Sequence, residues 1–172
     1  MWNVEIKENN FYFLKLKYHE LMDEKTIKHK KFQSGQSGEE EDSVPCFIAI
    51  YDKATDLYWG IPISSQVPKY KRIYQQKVEK YGVCDTLVFG EVLGYEKAFL
   101  IQNILPVSEE FIARQYVDRF KKGVQVEEEL SKELVTKTKK VLALQKKGMK
   151  LIFGDVFEMQ KKLKELQQEK NN

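Results

Sequence analysis

The sequence predicts an α+β fold. Short runs rich in aromatic and β-branched residues occupy much of positions 11–102, whereas positions 127–166 place their apolar residues at helical spacing. A stretch at 33–44 that is flexible first and acidic after interrupts the strand-like half.

Taken in order, Phe11-Tyr-Phe-Leu-Lys-Leu-Lys17 is aromatic and then alternates, so it reads as a strand. Residues 18–30 have a helical pattern, with Leu21, Met22 and Ile27 available for packing. Residues 33–44 read as a flexible loop. Cys46–Tyr51 and Leu57–Ile63 read as a hairpin across the turn Asp52–Asp56. Thr86–Gly90 and Ala98–Gln102 are expected to be further strands, with Gly94 in the turn between them. Ser108 is placed to cap a short helix whose first turn carries Glu109 and Glu110. A longer helix is expected over about 127–147, buried through Leu130, Leu134, Val141, Leu142 and Leu144 and ended by Gly148. Asp155-Val-Phe-Glu158 has the form of a capping box with Asp in place of Ser or Thr. Val156, Met159, Leu163 and Leu166 then make an apolar stripe too short for a coiled coil, so it is expected to dock on the domain.

A chain of 172 residues is long enough for one domain with a buried core, read here as spanning 1–172. With 42% hydrophobic and 32% charged residues it is not a wholly disordered chain. No apolar run approaches the roughly 18–20 residues that span a bilayer. Residues 1–8 lack the basic-then-apolar layout of a signal peptide, so a cytoplasmic protein without membrane contact is expected. Cys46 and Cys84 lack C-x-x-C spacing and lie in apolar, strand-like surroundings, as reduced core cysteines do.

Charge is distributed unevenly. Segment 60–81 sets Lys69, Lys71, Arg72, Lys77 and Lys80 against Glu79 alone, and segment 132–150 sets seven lysines against Glu133. Such local surfaces suit a polyanionic partner, although the second is equally readable as a solvated helix face. Glu39-Glu40-Glu41-Asp42 opposes them.

The richest stretch is Leu57-Tyr-Trp-Gly-Ile-Pro-Ile-Ser-Ser65, followed by Lys69, Tyr70, Lys71, Arg72 and Tyr74. Paired hydroxyls at a strand end can hydrogen-bond a phosphate, and nearby cations can neutralise it. Tyr70 and Tyr74 offer faces for unpaired bases, while Trp59 and Phe89 read as core. A serine pair leaving a strand is also ordinary turn chemistry. Gln102 and Asn103 have amides that either read a base edge or satisfy backbone groups at a strand end. The chain has no Walker-type loop, no G-x-G-x-x-G and no H-E-x-x-H, and only His19 and His29. The carboxylates at 39–42 lack the spaced ligands of a calcium loop, so neither a metal nor a cofactor is expected.

Several pieces in order and spacing resemble the ToxN/AbiQ family of type III toxin–antitoxin endoribonucleases, and most closely its CptN-like branch. They are Phe11–Tyr18, Cys46–Ile50, Tyr58-Trp-Gly-Ile-Pro-Ile-Ser-Ser65 with Lys69, Ala98–Val107 and Lys140–Leu144. The resemblance implies a compact globule with a twisted antiparallel sheet flanked by helices, similar to the MazF/Kid ribonuclease fold. It also implies metal-independent cleavage of cellular or phage mRNA, leaving 2′,3′-cyclic phosphate and 5′-hydroxyl ends, in abortive infection. The implied partner is a small repeated pseudoknot antitoxin RNA, processed and then held in a closed assembly, the two-plus-two kind being favoured.

Carried onto this chain, the resemblance puts the hydroxyl pair on Ser64 and Ser65 and an active-site tyrosine on Tyr18. The downstream lysine falls on Lys69, displaced because Gln66-Val67 precede Pro68. A lysine that some relatives carry is replaced by Pro45, leaving Lys28, Lys30 or Lys31 to supply charge. Ser65 would then bind the scissile phosphate or 2′-hydroxyl with Ser64 in support, and Lys69 would neutralise developing charge. Tyr18 would orient RNA or relay a proton, and Lys71 and Arg72 would hold flanking phosphates. The competing readings are a single-stranded-RNA-binding module without turnover, or a protein adaptor acting through the C-terminal helix.

Overall fold

In the computed structural model, which describes residues 4–22 and 44–171 and the backbone of 31–33 and 40–42, the α+β expectation holds. Strand β1 (Phe11–Leu14) is buried throughout. It stops short of the expected Lys17, because helix α1 (Leu16–Met22) begins there and buries Leu16, Tyr18, His19 and Met22. Leu16 with His19 and Tyr18 with Met22 stand three and four residues apart, which makes them neighbours on a helix. The expected continuation of this helix through Ile27 falls outside the described residues.

Strands β2 (Lys31–Gln33) and β3 (Glu40–Asp42) pair antiparallel, with Lys31 opposite Asp42. This corrects the reading of 33–44 as continuous loop. Strand pairing uses backbone N–H and C=O groups, which a polar composition leaves intact.

The predicted hairpin is present as β4 (Cys46–Asp52) and β5 (Leu57–Ser64). A side chain at Gly60 would approach Cys46 Sγ to 2.9 Å, so this cross-strand contact requires glycine. Residues 67–81, read from the sequence only as basic and aromatic, form helix α2 (Val67–Tyr81). Pro68 sits in its first turn, and Gly82 ends it at φ 79°, donating its N–H to Val78 O. Strands β6 (Leu87–Val92) and β7 (Tyr95–Leu100) make the second hairpin, turning at Gly94.

A 3-10 turn at Ile101–Asn103 then leads to β8 (Leu105–Val107). Both β7 and β8 pair with β5, β7 at Ile63–Ser64 and β8 at Tyr58–Gly60. They act as one strand broken at Gln102. Instead of the short helix expected after Ser108 there is a three-residue 3-10 turn, uncapped by the Ser108 side chain. It leads into β9 (Ile112–Gln115), an unexpected strand that pairs with β1. The antiparallel sheet runs β6-β7-β5-β4-β1-β9, with β8 beside β5.

Helix α3 (Glu128–Lys146) matches its predicted span and buries Leu134, Thr138 and Val141. Helix α4 (Val156–Asn171) buries Val156, Met159 and Leu163 and packs near β8, so the stripe docks on the domain. Its entry is capped where Asp155 Oδ1 accepts the Glu158 N–H at 3.3 Å.

Two apolar clusters fill the interior. In the larger, Phe47 meets Phe11 and Phe99 edge to face at 5.2 and 5.9 Å. Each such pair contributes roughly 0.5–1.5 kcal/mol beyond its buried area. The smaller cluster, Cys84, Leu87, Ala98 and Leu100, lies on the other face of β7 beneath α2. Cys46 and Cys84 are both buried, and neither is in a disulfide. Among the described residues no helix is long and apolar enough to cross a membrane.

Candidate functional site

Strand β5 carries the serine pair out of the core. Ile63 is still buried opposite Phe99, and Ser64 stands opposite Ala98. Ser64 Oγ accepts the Gln66 N–H at 3.1 Å, which is turn chemistry joining β5 to α2. Ser65 is exposed, and its Oγ accepts a hydrogen bond from Lys97 Nζ at 2.8 Å. Strand alternation explains this partner: Lys97 shares a face of β7 with Phe99, the residue opposite Ile63. With one lone pair engaged by the ammonium, Ser65 keeps its proton to donate. The pair therefore offers an anion a hydroxyl and a charged donor side by side.

The lysine bonded to Ser65 is Lys97 rather than Lys69. The Lys69 ammonium lies 5.2 Å from the centroid of the Tyr70 ring, along its own helix. Lys71 bonds Glu96 at 3.0 Å, with both side chains about half exposed, and lies 5.6 Å from the Phe89 ring centroid. Its charge is thus partly offset within the protein. Arg72 is exposed on α2.

Tyr70 and Tyr74 are not open stacking platforms. Both are half-buried with Ile73 and Val78 against the smaller cluster, and Tyr74 meets Phe89 edge-on at 5.8 Å. Positions 70, 73, 74 and 78 form the inner face of a helix, which the sequence reading did not assign there. Trp59 is core, as read.

Tyr18 is fully buried, and its hydroxyl donates to Pro106 O at 2.5 Å. Its ring stands edge-on to His19 and Phe111, at 5.3 and 5.5 Å. It is a core post joining α1 to β8 rather than a surface group facing Ser65. Gln102 is also buried: its Oε1 accepts from Lys77 Nζ at 2.9 Å, its N–H donates to Thr86 O, and its carbonyl accepts the Phe153 N–H. The side-chain amide oxygen is thus engaged by a lysine rather than by a backbone group, and the two backbone bonds are made by the main chain of Gln102 itself. Asn103 follows it, half-buried, in the 3-10 turn. Lys28 and Lys30 lie outside the described residues, as does the side chain of Lys31.

The opposite end of β5 has the reverse electrostatics. Tyr51 Oη donates to the Asp56 carboxylate, and this bond chiefly, with lesser help from burial and nearby negative charge, pushes its phenol up to about 12. Tyr58 is also raised, by burial first and then by Glu109 and Asp56. Among the described residues no three His, Cys, Asp or Glu side chains converge as metal ligands.

Lys97 is the site residue that sequence reasoning missed. It lies 32 positions from Ser65, and only the β5–β7 register joins them. The chain matches no model of a known protein family and no curated protein.

Proposed function

We propose that this protein is a metal-independent endoribonuclease toxin of the type III toxin–antitoxin kind that its sequence resembles. The observation that carries the reading is the exposed Ser65 hydroxyl bonded at 2.8 Å to Lys97 at the end of a buried strand. Lys69 and Arg72 add positive charge on the adjoining helix. RNA brings its own nucleophile. The 2′-oxygen bonds to phosphorus, the bond to the 5′-oxygen breaks, and the proton lost from the 2′-hydroxyl is balanced by one gained at the leaving oxygen.

In this reading Ser65 donates to a nonbridging oxygen of the scissile phosphate, and Lys97 stabilises the charge that builds on the phosphorane. Ser64 holds the turn that presents them. Tyr18 and His19 are both buried in the core, so in this reading water carries the protons. The slow turnover this implies suits a toxin that needs few cuts. A repeated pseudoknot RNA, cut by the same site and then held in it, is the proposed antitoxin, in a closed two-plus-two assembly.

Purified protein incubated with single-stranded RNA in EDTA tests the reading. Fragments ending in 2′,3′-cyclic phosphate and 5′-hydroxyl are expected. RNA bound but left intact would identify a binding module without turnover, and activity that returns only with magnesium would overturn the mechanism.

A further inference from the structure

Helix α2 has a second end, and that end is unusual. Of the nine exposed large apolar side chains among the described residues, Tyr81 (66% exposed) and Val83 lie at this end, and Phe153 (57%) is joined to it through Gln102. Gln102 is the hub that links Phe153 to this end of the helix. Lys77, one turn before Tyr81, donates to Gln102 Oε1 at 2.9 Å and to Thr86 Oγ1 at 3.1 Å. Phe153 N donates to the carbonyl of the same Gln102 at 2.9 Å. Cys84, next to Val83, touches Thr86 through its sulfur at 3.6 Å.

The lysines near this patch are not neutralised, unlike three of the four that precede them on α3, Lys139 being the exception. Lys132, Lys137 and Lys140 are each paired with a carboxylate, from Glu128, Glu133 and Asp85. Lys146, Lys147 and Lys150, which lead up to Phe153, are exposed and have no carboxylate partner among the described residues. Lys80 Nζ lies 5.1 Å from the centroid of the Tyr81 ring, leaving the ring's other face for a ligand.

We propose that this patch is a second contact surface for single-stranded RNA, with unpaired bases stacking on Tyr81 and Phe153 and phosphates met by the unpaired lysines. The inference rests on the RNA reading of the Ser65 site and extends its footprint. Exposed aromatic faces among unneutralised cations match a strand of bases and phosphates. A second copy of the same patch would bring like charges together, and an apolar protein surface would strand the lysines without partners. Helix α2 spans about 22 Å from the Ser65 end to Tyr81, by its 15 residues. One strand lying along it would reach both ends within the roughly 4–16 nucleotides that single-strand-binding folds cover.

The test is the affinity of the full chain for an unstructured RNA about 16 nucleotides long, within that footprint range, read by fluorescence anisotropy in EDTA on the cleavage-blocked Ser65→Ala background. Tyr81→Ala and Phe153→Ala are each expected to weaken binding about 5- to 150-fold with the salt dependence unchanged, as loss of stacking does. Lys147→Ala is expected to flatten the log–log salt slope by about 0.7. If the background protein binds well and both aromatic variants bind equally well, the second surface is wrong while the Ser65 site stands. Absence of RNA binding by wild type and background alike overturns both. A dimer in sedimentation that Tyr81→Ala dissolves, with RNA affinity unchanged, would make the patch a protein interface and overturn the proposal.

Discussion

The two ends of strand β5 solve opposite problems with the same kind of group. At its exit, Lys97 holds the Ser65 hydroxyl by donating to it, which leaves the serine proton outward and the surroundings positive. At its entry, Asp56 holds the Tyr51 hydroxyl by accepting from it, which consumes the proton and leaves the surroundings negative. A hydroxyl alone therefore says little about function. Its partner's charge decides whether its proton is left outward or tied into the fold, and of the two ends only that of Ser65 leaves a proton beside a cation, as the proposed phosphate contact requires.

The largest effect should separate these ends. Ser65→Ala is expected to lower the cleavage rate about 10²–10³-fold, the usual loss when one donor to developing charge is removed. Tyr51→Phe is expected to leave the rate unchanged. Circular dichroism of both variants checks that each is folded. Equal rates for Ser65→Ala and wild type would erase the contrast and the proposed site with it.

A second test asks how far the functional end extends back along β5. Pro106 pairs with Trp59 in the first half of β5, and its carbonyl receives the Tyr18 hydroxyl. Tyr18→Phe leaves that buried carbonyl short of a partner and should cost about 1–3 kcal/mol in urea unfolding. Cleavage per folded molecule should be unchanged. A variant as stable as wild type but inactive would return Tyr18 to the chemistry, as the family resemblance implied.

Tyr18 also illustrates where sequence reasoning stops. The two hairpins, the helix at 127–147 and the capped stripe at 155–166 were readable because each is specified locally, by alternation, turn residues and caps, although the strand expected over Ala98–Gln102 runs instead over Tyr95–Leu100. The serine pair at the strand end was readable for the same reason, lying where an apolar run ends. What failed depends on contacts distant in sequence. Whether Tyr18 is buried depends on β8, 88 positions away. The identity of the lysine beside Ser65 depends on strand register. Helix α2 failed differently: its pattern at 70, 73, 74 and 78, between Pro68 and Gly82, was present but obscured by a functional reading of the same tyrosines.

The smallest effect tests whether the positive end of β5 is fully available to a ligand. Lys71 is held by Glu96 at 3.0 Å, with the side chains 53% and 51% exposed. Solvent screening limits such a pair to roughly 0.2–1 kcal/mol, so it is a modest competitor for the ammonium. Glu96→Gln frees Lys71 and should raise affinity for single-stranded RNA by no more than about fivefold, which is about 1 kcal/mol. The log–log salt slope should steepen by about 0.7 as one more phosphate is neutralised. Removing a negative charge also lessens repulsion of RNA directly, so Lys71→Ala is needed in both backgrounds. If the ion pair is the restraint, Lys71→Ala will cost more affinity in the Glu96→Gln protein than in wild type. If its cost is the same in both, Glu96 acts only through its own charge, and Lys71 already reaches the RNA despite its partner.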